Sequence, residues 1–257
     1  MRTGQGYGYA DLPALMGLMT GDEKHDPAAE STLDVLWVLY DRVLRVSPEA
    51  PGDPHRDRFL LSKGHGPMAY YAVLAAKGFL DPAALTHYAE FTSPLGHHPD
   101  GVMIPGVEIG SGSLGHGLGL AVGVALGLRA DRHDYDRVGG PPLSLGEQQG
   151  SPDAVAMGSG GPSRVYCLVG DGELDEGSNH EAIAYARAAA LSSLTAVVVD
   201  NSSSTHGWPG GIADRFSREG WEAHTVDGRD HEALASALLA RPADRPHAVI
   251  AQIGQPS

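Results

Sequence analysis

Two apolar runs, each closing on a short polar turn, constrain this chain more than any other feature. Val165-Tyr166-Cys167-Leu168-Val169 leads into Gly170-Asp171-Gly172, and Thr195-Ala196-Val197-Val198-Val199 leads into Asp200-Asn201. Apolar runs of this length without polar alternation read as strands buried on both faces, and the alanine-rich stretch from Ser178 to Leu191 reads as the helix between them. Right-handed crossover then makes the two strands parallel. Asp171 and Asn201 leave the sheet side by side at its carboxyl edge, where open α/β folds bind ligands. The expected fold class is therefore α/β, an open and mainly parallel sheet with helices on both faces.

That pair also predicts a chemistry. A carboxylate and an amide oxygen, joined by a backbone carbonyl from the loop after Asn201, form a hard-oxygen set suited to Mg²⁺ or Ca²⁺, with a phosphate completing the shell. The glycines flanking Asp171 let a diphosphate approach the backbone. A calcium loop of the EF-hand type fails, because its sixth position is Glu176 instead of Gly and its twelfth is Ala182 instead of Glu. A dinucleotide fingerprint over Gly110-Ser111-Gly112-Ser113-Leu114-Gly115 fails as well, because Pro105 makes the preceding segment a poor central strand.

A net charge of −14 and the lack of a dense Lys/Arg cluster argue against nucleic acid or an anionic membrane as partner, leaving a small metabolite. Cys167 is the single cysteine and reads as a small core residue. No secretory leader or long apolar span is visible, so a soluble cytoplasmic protein is expected. A chain of 257 residues is compatible with one domain over 1–257.

Along the chain, residues 1–11 read as a loose arm, Leu33 to Val46 and Pro67 to Lys77 as packing helices, and Gly115 to Leu128 as a helix rich in glycine. Those glycines allow either tight packing inside the domain or a subunit contact. Residues 131–163 lose all periodicity and read as a flexible insertion, of which about Asp136 to Gly161 is expected to be protease-sensitive and largely dispensable. After Asn201 the chain returns through Trp221 to Val226, followed by a helix from His231 to Leu239 and a last strand from His247 to Ile253.

Four segments together resemble the transketolase family. Gly170-Asp171-Gly172 with Asn201 is similar to its thiamine diphosphate signature, and Leu60-Leu61-Ser62-Lys63-Gly64-His65-Gly66 to its Leu-Ser-Lys/Asn-Gly-His segment. Gly96-His97-His98-Pro99-Asp100 resembles its Gly-His-Pro turn, and Pro105-Gly106-Val107-Glu108 with Gly112-Ser113-Leu114-Gly115 resembles the segment that follows. The resemblance runs from about His25 to Gly207, and implies the thiamine-diphosphate-binding fold and the N-terminal half of a transketolase on a separate polypeptide.

By that resemblance, Asp171, Asn201 and the Ser203 carbonyl hold the metal, while His65, Gly112, Ser113, Leu114, Asp171, Gly172, Asn201 and Thr205 contact thiamine diphosphate. His25 and His98 would contact substrate and move protons, with His97 in place of His98 if the register slips by one. Glu176 would lie at a subunit interface, although a charge favoured by a helix N-terminus explains it equally well. The implied reaction moves a two-carbon ketol unit from a ketose to an aldose. The implied partner is a pyrimidine-binding C-terminal half, in an α2β2 assembly. Lys24-His25-Asp26-Pro27 departs from the family's Gly-His-Pro-Gly, and His116 and His206 replace its Gln and Asp. The rival readings are the α-subunit of a 2-oxo acid dehydrogenase and a non-catalytic scaffold subunit.

Overall fold

The computed structural model describes residues 6–20, 26–138, 162–204 and 207–254. His25, Thr205, His206 and residues 139–161 of the expected insertion lie outside the described residues.

Five strands form one parallel sheet: β1 Arg58–Leu61, β2 Val165–Gly170, β3 Leu194–Asp200, β4 Glu222–Asp227 and β5 His247–Gln252. Their order is β1-β2-β3-β5-β4, and all four pairings are parallel. β2 and β3 are buried almost end to end because both faces are covered, which is why they carry continuous apolar runs. β4 is an edge strand, with every position partly buried or exposed.

Seven α-helices are described: α1 Leu12–Met16, α2 Asp26–Val38, α3 Met68–Ala76, α4 His116–Val138, α5 Gly177–Ala188, α6 Gly211–Arg218 and α7 His231–Leu239. One face of the sheet, with Tyr166, Leu168, Val197 and Val249, packs on α1, α2, α3 and α7. The other, with Cys167, Val169, Val198 and Ile250, packs on α4, α5 and α6. The crossover from β3 passes the position of β5 to reach β4, and the chain then winds back, so α7 lands opposite α5 and α6. Among the described residues no helix is long and apolar enough to cross a membrane.

Several boundaries differ from expectation. The helix expected from Leu33 begins at Asp26 and ends in a π turn over Leu39–Val43, where the Leu44 amide reaches back to Leu39. The arm is docked over residues 6–11: Tyr9 sits in a 3₁₀ turn and donates to Asp34 at 2.6 Å, which its glycine-rich composition hides. α4 continues to Val138, so residues 131–138 belong to a helix rather than to the insertion. The glycines of α4 divide. A side chain on Gly117 would strike Ser62, whereas Gly119, Gly123 and Gly127 face open space. Tight internal packing therefore accounts for the first glycine and not for the other three.

Candidate functional site

β2 and β3 end level with one another, and the Asp171 amide closes the ladder by donating to the Val199 carbonyl at 3.0 Å. Asp171 is 1% exposed. Its Oδ2 accepts the amides of Ser203 (2.7 Å) and Ser204 (3.0 Å), and its Oδ1 accepts the Ser203 hydroxyl at 2.5 Å. Helix capping, the ordinary use of an aspartate here, does not occur: the side chain makes no cap bond to the 3₁₀ turn Gly172–Asp175. Ser202 adopts a left-handed φ of 59°, which turns the next two amides toward one oxygen, an anion-binding nest made by the β3 loop.

Asn201, the first residue past β3 in the same loop, has a buried Oδ1 that no donor among the described residues meets. A buried acceptor without a partner is costly, and a hard cation would satisfy it. A Cβ on Gly172 would lie 3.5 Å from the Ser203 carbonyl oxygen, so glycine there keeps the cradle open. Asp171, Gly172, Asn201 and Ser203 are thus brought together, and their donor set fits a divalent cation with a diphosphate.

A second group arrives from the end of β1 and from the loops before α4. A Cβ on Gly64 would meet the Ser111 side chain and stand 3.0 Å from the Gly112 amide. Gly112 has φ 117°, and a Cβ there would lie 2.9 Å from the His98 ring. His98 in turn packs edge-to-face on His65, with ring centroids 5.4 Å apart. His97 faces elsewhere, against Tyr88 at 5.7 Å. The structure therefore gathers His65, His98 and Gly112, and it is His98 rather than His97 that joins them. Ser113 is exposed, as is Leu114.

Glu176, also exposed, precedes α5 in extended backbone and makes no cap bond. A Cβ on Gly115 would approach the Glu176 Cβ to 2.7 Å, so this glutamate borders the start of α4. Glu108 pairs with Arg56 at 2.7 Å, which gives the Pro-Gly-Val-Glu segment a packing role.

Two buried charged groups join these walls: Lys63 lies in one of the family segments without a role assigned to it, and Glu173 lies in none. Glu173 accepts the Ser62 hydroxyl, the Gly115 amide at 2.8 Å and the Gly170 amide at 3.2 Å, tying β1, α4 and β2 to one carboxylate. Burial pushes its carboxyl above the ordinary value, against the pull of those donors and of Lys63. Its one local signal is the spacing from Gly170, that of a capping-box acid reaching back three residues. Lys63 donates to the Ala28 carbonyl at 3.2 Å and to Ser31 at 3.1 Å, fastening the start of α2 to the sheet edge. Burial lowers its ammonium to about 8, although Asp171 and Glu173 favour the charged form.

Comparison with known proteins places this edge. The thiamine diphosphate binding domain of transketolase matches residues 19–145 and 156–257. The chain belongs to the transketolase family. Its match to the family breaks between residues 145 and 156, inside the expected insertion. It is 52% identical, over 98% of its length and 74% of the other, to a Rhodococcoides fascians protein named ferredoxin fas2. It is 33% identical, over 88% of its length and 75% of the other, to one of the subunits of the apulose-4-phosphate transketolase of Actinobacillus succinogenes. The transketolase of Campylobacter jejuni superposes with a TM-score of 0.70 at 24% identity, over 95% of this chain and 37% of that one, a likeness of fold. The chain thus spans little more than a third of that transketolase, and the family's cofactor domain coincides with the sheet and loops described above.

Proposed function

We propose that this chain is the thiamine-diphosphate-binding subunit of a two-part transketolase, one domain over 1–257 interrupted by an insertion, acting in the cytoplasm on a ketose donor and an aldose acceptor. The observation that carries the reading is the buried Oδ1 of Asn201, unmet by any described donor, in the loop whose amides hold the Asp171 carboxylate. In this reading Asp171, Asn201 and the Ser203 carbonyl hold Mg²⁺ or Ca²⁺. Gly172 and His65 lie against the diphosphate, Thr205 contacts the cofactor, and Gly112, Ser113 and Leu114 border its rings. Bound thiamine diphosphate supplies the nucleophilic carbon and the electron sink for ketol transfer.

The chain's own residues orient and protonate. His98, packed on His65, hydrogen-bonds a sugar hydroxyl and moves a proton there, and His25 does the same from the segment before α2. Lys63, buried behind Asp171, offsets part of the negative charge that a diphosphate brings to this edge. Glu176 belongs to the contact with a pyrimidine-binding partner in an α2β2 assembly. The exposed face of α4, where Gly119, Gly123 and Gly127 meet open space beside Leu120 at 49% exposure, gives such a partner a smooth apolar surface. The Actinobacillus succinogenes relative, itself named as one subunit of a transketolase, supports the division into two polypeptides, and its named substrate class supports a sugar phosphate.

The name ferredoxin does not carry over. Ferredoxin clusters are held by several cysteine thiolates, and this chain has one cysteine, Cys167, buried in β2.

The test is Asp171→Ala. Removing the carboxylate leaves cation and diphosphate without their main counter-charge, so cofactor binding weakens by about 3 kcal/mol, the scale of a broken buried charge pair. Calorimetric titration of thiamine diphosphate with Mg²⁺, in the presence of the partner, measures it. Unchanged affinity would remove Asp171 from the site. Ketol transfer by this chain without a partner would end the two-part reading.

A further inference from the structure

The hydroxyl of Ser203 lies on the carboxylate that the proposed cation needs. Asp171 has two oxygens, and the β3 loop treats them differently. Oδ2 is saturated by two backbone amides, from Ser203 at 2.7 Å and Ser204 at 3.0 Å. Among the described residues, Oδ1 accepts a single hydrogen bond, the 2.5 Å contact from the Ser203 side chain. Oδ1 is therefore the oxygen with a lone pair left for an incoming ligand, and the hydroxyl already draws on its charge.

We infer that the Ser203 side chain sets the cation affinity of this site from below, competing with the cation for Asp171 Oδ1. The inference rests on the cation-site reading given above and adds a residue that weakens it. A hydroxyl on a ligating carboxylate can also help, by orienting the ligand. Here that task is already done. The two amides on Oδ2 and the strand-end amide bond from Asp171 to Val199 fix the carboxylate without the hydroxyl. Ser202, held at φ 59°, aims both amides, and Ser204 is anchored a second time by its hydroxyl on Asp175 at 3.1 Å. The loop thus keeps its shape when the Ser203 side chain is cut back, because its backbone carries the hold on Asp171. When a cation arrives, the hydroxyl must yield its place or share the oxygen, and either one costs affinity.

Ser203→Ala separates these roles, since it deletes the hydroxyl and keeps the amide and carbonyl. The expected result is tighter binding of Mg²⁺ in the presence of thiamine diphosphate, by about three- to tenfold. That is less than a hydrogen bond to a charged group is ordinarily worth, because Ser203 is exposed and water replaces part of the contact. In the absence of Mg²⁺ the same variant unfolds at a lower temperature, the carboxylate having lost a donor. Ser203→Thr restores the hydroxyl and returns both quantities to wild type. Titration calorimetry and thermal unfolding of the full chain in the presence of the partner, with and without Mg²⁺ and thiamine diphosphate, read all three proteins. Equal or weaker Mg²⁺ binding by Ser203→Ala, with wild-type binding intact and Asp171→Ala unable to bind, overturns this inference and leaves the cation site standing. Wild-type protein whose unfolding and heat signal ignore Mg²⁺ overturns both.

Discussion

At the residue scale, Glu173 concentrates more of the site's order than any residue that the motifs point to. Three donors from three elements converge on its carboxylate: Ser62 after β1, Gly115 before α4 and Gly170 at the end of β2. A buried donor left without an acceptor costs about 1–3 kcal/mol, so Glu173→Ala, which orphans three, is expected to destabilise the fold by about 3 kcal/mol or more. Glu173→Gln keeps an acceptor oxygen and loses less, about 1–2 kcal/mol. Urea unfolding of the two variants measures the difference; equal midpoints for wild type and Glu173→Ala would show that the hub is incidental. Among the described residues Lys63 is the ammonium near these two buried acids, and its bonds to Ala28 and Ser31 carry the sheet edge's position to α2.

At the scale of elements, α5 shows where the local sequence is poorer than its structure requires. The helix stops at Ala188, and Ala190 beyond it is held at φ 49° so that the Leu191 amide can reach the Ala186 carbonyl at 3.1 Å. That is the left-handed closing turn in which glycine is the favoured residue. An alanine there costs about 1–2 kcal/mol. A glycine returns about 0.4–1 kcal/mol of that through the freedom of the unfolded chain. Ala190→Gly is therefore expected to stabilise the protein by about 0.5–1 kcal/mol, read as a higher urea midpoint with unchanged slope. A lower midpoint would mean that the unfolded chain dominates. The π turn after α2 is the opposite case, an apolar run whose periodicity continues while its hydrogen bonding changes.

At the scale of the whole molecule, the sheet's amino edge, opposite the candidate site, governs the response to acid. His247 opens β5 with no exposed surface, and neither ring nitrogen has a hydrogen-bond partner among the described residues. Burial lowers its pKa from 6.5 to about 4, with His224 and Arg164 adding to the shift and Glu222 opposing it. The unfolded chain takes up this proton as pH falls through 6.5, and the folded chain refuses it until about 4. Stability is therefore lost between those values, by about 3 kcal/mol from this group. His247→Leu removes the titration and the two unmet nitrogens together. Its stability should match or exceed wild type at neutral pH, and its advantage should widen as pH drops toward 4. Urea unfolding at several pH values checks this, and parallel curves would exclude His247 as the acid-sensitive group.

The sequence by itself determined the central βαβ unit, α7, the strand that follows it and the glycine-flanked acid at the end of β2. Those signals are local: burial on both faces writes a continuous apolar run, a helix writes its period, and glycine marks where a backbone must approach closely. The four family segments were legible for the same reason, each being a short stretch whose residues act together. The tertiary structure alone decided which of two adjacent histidines faces Gly112, which glycines of α4 remain bare, and that Glu173 and Lys63 lie buried at the centre. These depend on contacts such as Ser62 to Glu173 and Gly115 to Glu173, separated by 111 and 58 residues. Spacing within a motif carries no information about a donor that far away, and only packing the sheet between its helices brings the two together.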